Sequence, residues 1–260
     1  VQIRQRIPDS LEIEAFVHGA MCVSHSGRCL LSNFMTGRDA NRGNCAQACR
    51  WKYSIVEEKR PGQYMPVEET DTGTFIFNSK DLCMIEHIPD LISAGITSFK
   101  IEGRVKTEYY VSCVVAAYRR AIDACFSDLG EYERILPELR DEVCKVSHRP
   151  YFTGFYYGDQ KAESMNFNES GYIRDYEVSG IVKGYDYARG CVVLTQRNKF
   201  VIGEECEFLI PGKSPKKVTV ETMYNAEGEE ILAAPHPEMT VLLPYPDPVP
   251  SMSFLRRKRM

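Results

Sequence analysis

Four cysteines, Cys22, Cys29, Cys45 and Cys49, lie close together in this sequence of 260 residues. Thiolate is the usual ligand of iron–sulfur clusters and of structural zinc, so these residues predict a site for a soft metal. Six residues separate the first pair and three separate the second, whereas a zinc ribbon favours a tight pair on each side. The spacing therefore favours a [4Fe–4S] cluster over zinc, and thiols without a metal are the third interpretation.

The remaining cysteines are less informative, except that Cys83 follows a predicted strand near the cluster and is an alternative to one of the four ligands. The sequence does not open with the charged and then apolar residues of a secretory signal peptide, so we expect the protein in the cytoplasm. Clustered thiols there bind metals rather than form disulfides. No apolar run approaches the length of a membrane span, so we expect no membrane partner.

Three charged residues at alternating positions, Lys100, Glu102 and Arg104, lie at the carboxyl end of a predicted strand. In a strand, alternating residues project to the same side. A lysine and an arginine there are suited to hold a dicarboxylate, because arginine grips a carboxylate through two parallel hydrogen bonds. The pattern predicts a catalytic or anion-binding group in which Glu102 handles or positions a proton. The alternative is an ion network that seals the end of the sheet.

His18 lies just before the first cysteine, and Glu14, Phe16 and His18 are expected to share one face of a strand. The imidazole is a candidate proton donor, substrate contact or hydrogen-bond donor to a thiolate. A structural histidine is the alternative.

The formal net charge of −4 argues against a protein that coats nucleic acid indiscriminately, although it allows a local RNA contact. Basic residues outnumber acidic ones around the cysteines, and an aromatic face there could stack on a base. Arg50 and Trp51 are the candidate RNA-binding residues, and a solvated loop is the alternative. The basic stretch 256–259 is interpreted as a phosphate contact or a frayed tail.

Strands and helices alternate in the first half of the sequence, which implies a parallel sheet. The expected strands are 11–17, 75–78 and 97–101, and the expected helices are 82–94 and 106–126. The long excursion between the first two strands contains the four cysteines, a short helix near 30–36 and a hairpin of 52–57 with 64–68. Long ordered insertions are usually functional.

From about Gly171 the pattern changes to short alternating strands separated by glycines, which predicts a small β-barrel. The expected strands are 177–182, 191–195, 205–209, 216–223 and 239–243. Residues 129–144 are predicted to be helical, and an aromatic segment links the two parts.

Three stretches carry a resemblance to a known family. Residues 14–32, EAFVHGAMC followed by six residues and CLLS, look like the motif that defines peptidase family U32, the collagenase-like proteins. The sequences NSKDLC at 78–83 and SFKIEGR at 98–104 resemble the same family. The likeness is strongest over residues 1–125, and the remainder resembles the small β domain that follows in one branch.

The resemblance implies an α/β fold: the C-terminal half of a (β/α)8-type barrel with a cysteine-rich insertion, followed by a small all-β barrel domain. The expected domains are a partial barrel at 1–128 with its insertion at 19–74, a helical and aromatic linker at 129–170, and the β-barrel at 171–260. The insertion would lie on the catalytic face of a barrel. A half barrel exposes a sheet edge, so we expect it to fold poorly alone or to form a homo- or hetero-oligomer with a related family member.

Several members of the family resemble RNA hydroxylation proteins more than proteases. The resemblance implies hydroxylation of a tRNA wobble uridine to 5-hydroxyuridine, with prephenate as co-substrate and an iron–sulfur cluster held by the four cysteines. Alternatives are collagenase-like proteolysis, hydroxylation in ubiquinone biosynthesis, and a structural metal module that recruits a partner enzyme. The sequence contains neither a Gly-x-Ser-x-Gly elbow nor a His-Glu-x-x-His motif, which counts against proteolysis.

Overall fold

The chain divides into two compact units in a computed structural model that describes residues 1–21, 31–48, 51, 54–56, 62, 64–66, 80–158 and 172–259. The first unit comprises Val1–Glu102 and His148–Ile173, and the second comprises Gly103–Ser147 and Arg174–Met260. Among the residues described, no helix is both long enough and apolar enough to cross a bilayer.

The first unit contains a mixed sheet and a separate hairpin. Its strands are β1 (Glu14–Ala20), β2 (Ser54–Val56), β3 (Tyr64–Pro66), β4 (Asp81–Cys83), β5 (Ser98–Ile101) and β6 (Tyr151–Phe152). Its helices are α1 (Leu31–Thr36) and α2 (Ile88–Ser93). The sheet has the order β5-β1-β4-β6, in which β1 is parallel to β5 and antiparallel to β4, and β4 is parallel to β6. The antiparallel hairpin of β2 and β3, and α1, confirm the predictions for the cysteine-rich segment.

One expected helix of this unit begins later than the sequence pattern predicted. The prediction of a helix from Leu82 is wrong at its start, because Asp81–Cys83 forms β4 and pairs with β1. The helical part begins with a 3-10 turn at Ile85–His87, and α2 follows with Pro89 in its first turn. Proline suits the first turn because the amide it lacks would have no partner there. The strand expected at 75–78 lies outside the described residues.

The second unit combines two packed helices with the C-terminal strands. The helices are α3 (Glu108–Ser127) and α4 (Leu129–Cys144). Thr107 caps α3 by accepting a hydrogen bond from the amide of Tyr110, and Asp128 caps α4 in the same way. Thus α3 and α4, which the sequence assigns to the barrel segment and the linker, belong to the unit that contains the C-terminal strands.

The C-terminal segment of the second unit is a β domain, as the sequence predicted. Its strands are β7 (Tyr176–Asp186), β8 (Cys191–Gln196), β9 (Phe200–Val201), β10 (Glu205–Leu209), β11 (Lys216–Thr219), β12 (Ala233–Ala234), β13 (Thr240–Pro244) and β14 (Phe254–Lys258). Six of them form an antiparallel sheet of order β11-β10-β14-β7-β8-β13, and β9 pairs with β12. Its core is made of alternating apolar residues, among them Val182, Leu194, Phe208, Val241 and Leu255.

Residues 256–258 of the basic stretch 256–259 are part of strand β14, so the interpretation as a frayed tail is wrong. β14 lies between β10 and β7, with Leu255 in the core. Arg257 pairs with Glu177 at 2.7 Å and also with Glu204. The positive charges of Arg256 and Arg257 are therefore balanced by carboxylates within the same unit.

Arg256 connects β14 to α4 through a fully buried ion network. Its guanidinium makes two hydrogen bonds to the carboxylate of Glu142, at 2.6 and 2.7 Å, and one to Glu207 at 2.8 Å. Lys145 adds a second cation, 2.8 Å from Glu142 and 3.1 Å from Glu207. Burial raises the pKa of the neighbouring Cys113 thiol to about 12, so this cysteine stays protonated near neutral pH. The network positions α4 against the β domain.

We expect Arg256→Met to lower the free energy of unfolding by about 3–5 kcal/mol, because two buried carboxylates would then share Lys145 alone. The measurement is urea unfolding followed by circular dichroism. Lys258→Met is the matched control, since Lys258 lies in the same strand with an exposed side chain, and its expected effect is within about 0.5 kcal/mol. Equal stability of the two variants would contradict an energetic role for the network.

Candidate functional site

A bulge in β1 sets the position of His18. Phe16 is opposite Lys100 in β5 and His18 is opposite Ile101, so Val17 is an extra residue in the pairing. Val17 and His18 are both buried, whereas Phe16 is 48% exposed. The prediction that His18 shares a face with Glu14 and Phe16 is therefore wrong, because the bulge interrupts the two-residue alternation.

Gly19 follows His18 and allows the chain after β5 to approach β1 closely. Its φ is +122°, a conformation that residues with a Cβ rarely adopt, and an added Cβ would lie 2.5 Å from the carbonyl oxygen of Glu102. The amide of Glu102 donates to the carbonyl oxygen of His18 at 2.8 Å. The chain after β5 is therefore held against the His18–Gly19 backbone, which brings two predicted site residues together.

His18 lies beside Tyr151 in β6, near a second ring just before that strand. Its Nε2 atom is 3.5 Å from the hydroxyl oxygen of Tyr151, and the two ring centroids are 5.2 Å apart. The ring of Tyr151 also stacks on His148 at 4.5 Å. Cys83 is directly opposite His18 in the pairing of β1 with β4. The imidazole therefore has a fixed, buried position beside a phenol and a thiol.

A buried ion pair holds β4 and β6 in this arrangement. The Arg149 guanidinium donates to Asp81 Oδ1 at 2.7 and 3.0 Å, and the Arg149 amide donates to Oδ2 at 3.0 Å. Both side chains are almost completely buried. Sequence patterns did not indicate this pair, although Asp81 lies within the NSKDLC stretch that resembles the family. Nothing in the residues around Arg149 indicated its partner, which is 68 positions away.

Lys100 forms an ion pair on the exposed face of β1 and β5. Its ammonium is 2.7 Å from Glu14 Oε1 and lies over the ring of Phe16, 5.1 Å from the centroid. The hydrogen bond and the charge of Lys100 hold the pKa of Glu14 below its ordinary value. Ser98 donates a longer hydrogen bond, 3.3 Å, to the other carboxylate oxygen. Lys100 thus already has a carboxylate partner.

Of the three alternating charged residues, Lys100 alone lies within β5, which ends at Ile101. Glu102 and Arg104 follow the strand, and Arg104 is in a turn with an exposed side chain. The strand alternation therefore does not extend to them. Their predicted roles as proton-handling and anion-binding groups stay predictions.

Cys45 is the one predicted metal ligand within the described residues; Cys22, Cys29, Cys49 and the candidate RNA contact Arg50 lie outside them. Cys45 is half-buried, and its sulfur accepts a hydrogen bond from the amide of Gln47 at 3.2 Å.

The loop that carries Cys45 is tied to α1. The buried hydroxyl of Ser32 in α1 accepts from the amide of Ala46 at 2.9 Å. Amide hydrogen bonds to sulfur and a fixed loop are features of metal-bound thiolates, so Cys45 fits a cluster ligand. Within the described ranges, no group of three His, Cys, Asp or Glu side chains could hold a metal. Trp51, the second candidate RNA contact, is 43% exposed.

Comparison with known proteins identifies the family. The sequence profile of peptidase family U32 matches residues 1–166, and that of the peptidase family U32 C-terminal domain matches residues 174–256. This chain belongs to peptidase family U32. The boundary between the two profiles lies near the start of β7, where the β domain begins.

Relatives within peptidase family U32 have different names. The chain is 42% identical to tRNA hydroxylation protein P1 of Bacillus subtilis, over 87% of this chain and 53% of that protein. It is 35% identical to tRNA hydroxylation protein P of Escherichia coli, over 94% of this chain and 61% of that protein. It is also 35% identical to a collagenase of Porphyromonas gingivalis, over 68% of this chain and 41% of that protein. The chain thus spans little more than half the length of the two hydroxylation proteins.

We expect Gly19→Ala to destabilise the first unit by about 3 kcal/mol, because the added methyl group meets the Glu102 backbone at a strained φ. The measurement is the free energy of unfolding in urea. Gly184→Ala is the control: Gly184 lies in β7, and an added Cβ there meets no atom within 4 Å. A Gly19→Ala protein as stable as the control would show that the strand tolerates a side chain at the bulge.

Proposed function

We propose that this U32 protein takes part in RNA modification, the hydroxylation of carbon 5 of a wobble uridine in tRNA. The observation that carries the proposal is the 42% identity to tRNA hydroxylation protein P1 over 87% of this chain. The E. coli relative named for the same process supports it. Because the chain covers 53% and 61% of those two proteins, the proposal concerns the activity of the whole protein.

The reaction replaces the hydrogen on carbon 5 with a hydroxyl group, so the base gains an oxygen atom and loses two electrons. We propose prephenate as a co-substrate of this reaction, as the family resemblance implies. Its carboxylates need cations. Lys100 and Arg104 are the proposed cations: Lys100 pairs with Glu14 at 2.7 Å, and the planar guanidinium of Arg104 suits a carboxylate.

We propose that Cys22, Cys29, Cys45 and Cys49 hold a [4Fe–4S] cluster, with zinc as the alternative. Four thiolates are the usual ligand set of such a cluster, which supplies one-electron redox chemistry when bound. The amide of Gln47 supports Cys45 in this role by donating to its sulfur at 3.2 Å.

His18 and Glu102 are the proposed groups for proton handling or positioning. The backbone hydrogen bond between them, 2.8 Å long, keeps them adjacent. Tyr151 and the bulge fix the imidazole of His18. Arg50 and Trp51 are the proposed contacts to RNA, since an exposed indole can stack on an unpaired base.

We also propose that the first unit is part of a (β/α)8-type barrel. The parallel pairing of β1 with β5 supports this architecture, because barrel strands are parallel, whereas the antiparallel pairing of β1 with β4 departs from it. The small β domain would be a second module, separate from this barrel.

Proteolysis is the second candidate function. The collagenase of P. gingivalis, 35% identical over 68% of this chain, favours it. A cysteine nucleophile near the metal site would however leave neighbouring thiolates without a role. Release of soluble peptides from collagen by the purified protein would support this alternative.

We expect Cys45→Ala to lose both bound iron and wobble hydroxylation, because one iron of the cluster would then lack its thiolate ligand. Iron and acid-labile sulfide are measured on anaerobically purified protein. The tRNA from cells carrying only this variant is analysed by mass spectrometry for 5-hydroxyuridine. Cys144→Ser is the matched control, since Cys144 is exposed and outside the proposed ligand set.

Normal 5-hydroxyuridine in the Cys45→Ala cells would refute the assignment of this cysteine to the hydroxylation machinery. If the wild-type protein contains one zinc per chain and no acid-labile sulfide, the cysteines hold a structural zinc ion rather than a cluster.

A further inference from the structure

Gln47, two residues after the proposed ligand Cys45, has an unusual backbone conformation. Its φ is +57°, in the left-handed region that residues with a Cβ seldom adopt. Strain of this kind persists only where the surrounding structure holds it, and it is concentrated at active sites and ligand-binding sites. Gln47 is therefore expected to be held in place by specific contacts.

Three hydrogen bonds hold residues 45–47. The amide of Gln47 donates to the sulfur of Cys45 at 3.2 Å. The amide of Ala46 donates to the buried hydroxyl of Ser32 at 2.9 Å. The hydroxyl of Tyr172 donates to Gln47 Oε1 at 3.3 Å, across 125 positions of the sequence. Gln47 thus contacts the proposed ligand through its backbone and a distant tyrosine through its side chain.

The backbone next to Tyr172 is itself anchored within the first unit. Ile173 pairs with His148 in an antiparallel bridge, in which the amide of Ile173 donates to the carbonyl oxygen of His148 at 2.8 Å. His148 is buried, and its ring stacks on that of Tyr151 with the centroids 4.5 Å apart. The phenol of Tyr172 therefore meets Gln47 from a paired segment, and it ties the loop of Cys45 to that segment.

We propose that Tyr172 and Gln47 are positioning residues that set the reduction potential of an iron–sulfur cluster bound through Cys45. Their side-chain hydrogen bond holds Gln47 in the conformation in which its amide faces the sulfur. An N–H dipole that points at a ligand sulfur stabilises the more negative, reduced form of a cluster and so raises its potential. Neither side chain is a ligand, since each acts through the amide of Gln47. The inference rests on the cluster of the proposed function.

The test is a redox titration of the anaerobically purified wild-type protein and its variants, followed by absorption and electron paramagnetic resonance. Tyr172→Phe keeps the ring and removes the donor to Gln47. We expect its midpoint potential to fall by about 30–60 mV, which corresponds to a threefold to tenfold change in the equilibrium constant for one-electron reduction. The iron and sulfide contents should stay at the wild-type level. Tyr187→Phe is the matched control, since Tyr187 is 80% exposed, and it should keep the wild-type potential.

A second variant separates the proposed contact from a general effect of Tyr172. Gln47→Leu leaves the backbone amide in place and removes the side-chain acceptor, so it should lower the potential as much as Tyr172→Phe does. The double variant should show no further shift, because both changes break the same contact. Shifts that add in the double variant would show that the two residues act independently, which would overturn the inference.

The outcomes separate this inference from the proposed function, which is followed by 5-hydroxyuridine in cellular tRNA. A wild-type potential in Tyr172→Phe, or loss of its iron, would overturn the inference and leave the function standing if the tRNA of wild-type cells contains 5-hydroxyuridine. The expected shift, in a protein whose wild-type cells lack 5-hydroxyuridine, would support the inference and overturn the function. Zinc in place of iron in the wild-type protein would overturn the inference as well.

Discussion

The bulge at Val17 in β1 is the constraint on which the first unit depends. One extra residue places His18 in the buried interior while Phe16 stays exposed, and Gly19 allows the backbone of Glu102 to approach β1 closely. Without the extra residue, the strand alternation would place His18 on the same side as Glu14 and Phe16. The bulge therefore creates two separate environments on one strand: a buried imidazole on one side and an exposed polar and aromatic patch on the other.

Buried ion pairs have a similar structural role in each unit. Arg149 with Asp81 connects β6 to β4 in the first unit, and Arg256 with Glu142 and Glu207 connects β14 to α4 and β10 in the second. Such pairs contribute little net stability compared with apolar residues of the same size, but they are costly to break one partner at a time. Their value here is geometric, because several hydrogen bonds from one arginine fix the orientation of the elements they join.

The family name and the names of the relatives point to different chemistry. The donor set offers four thiolates rather than a serine or cysteine nucleophile with an adjacent base, and soft-metal binding is what four thiolates do well. The described surroundings of Cys45 agree with a metal ligand, since its sulfur accepts an amide hydrogen bond. The types of these residues therefore suit a soft-metal site better than a peptidase nucleophile.

The sequence by itself determined the family, the cysteine spacing, and the helices and strands with a clear period, including α4, β10 and β13. A helix or strand with a clear period depends on residues that are neighbours in the chain, so the local pattern suffices to predict it. Tertiary structure alone decided the bulge, the short strand β4, the inclusion of residues 256–258 in β14, and the partners of Arg149 and Lys100. Each of these depends on residues far apart in the chain: a register shift or an ion pair exists only when two strands meet, and no local pattern encodes which residue will be opposite.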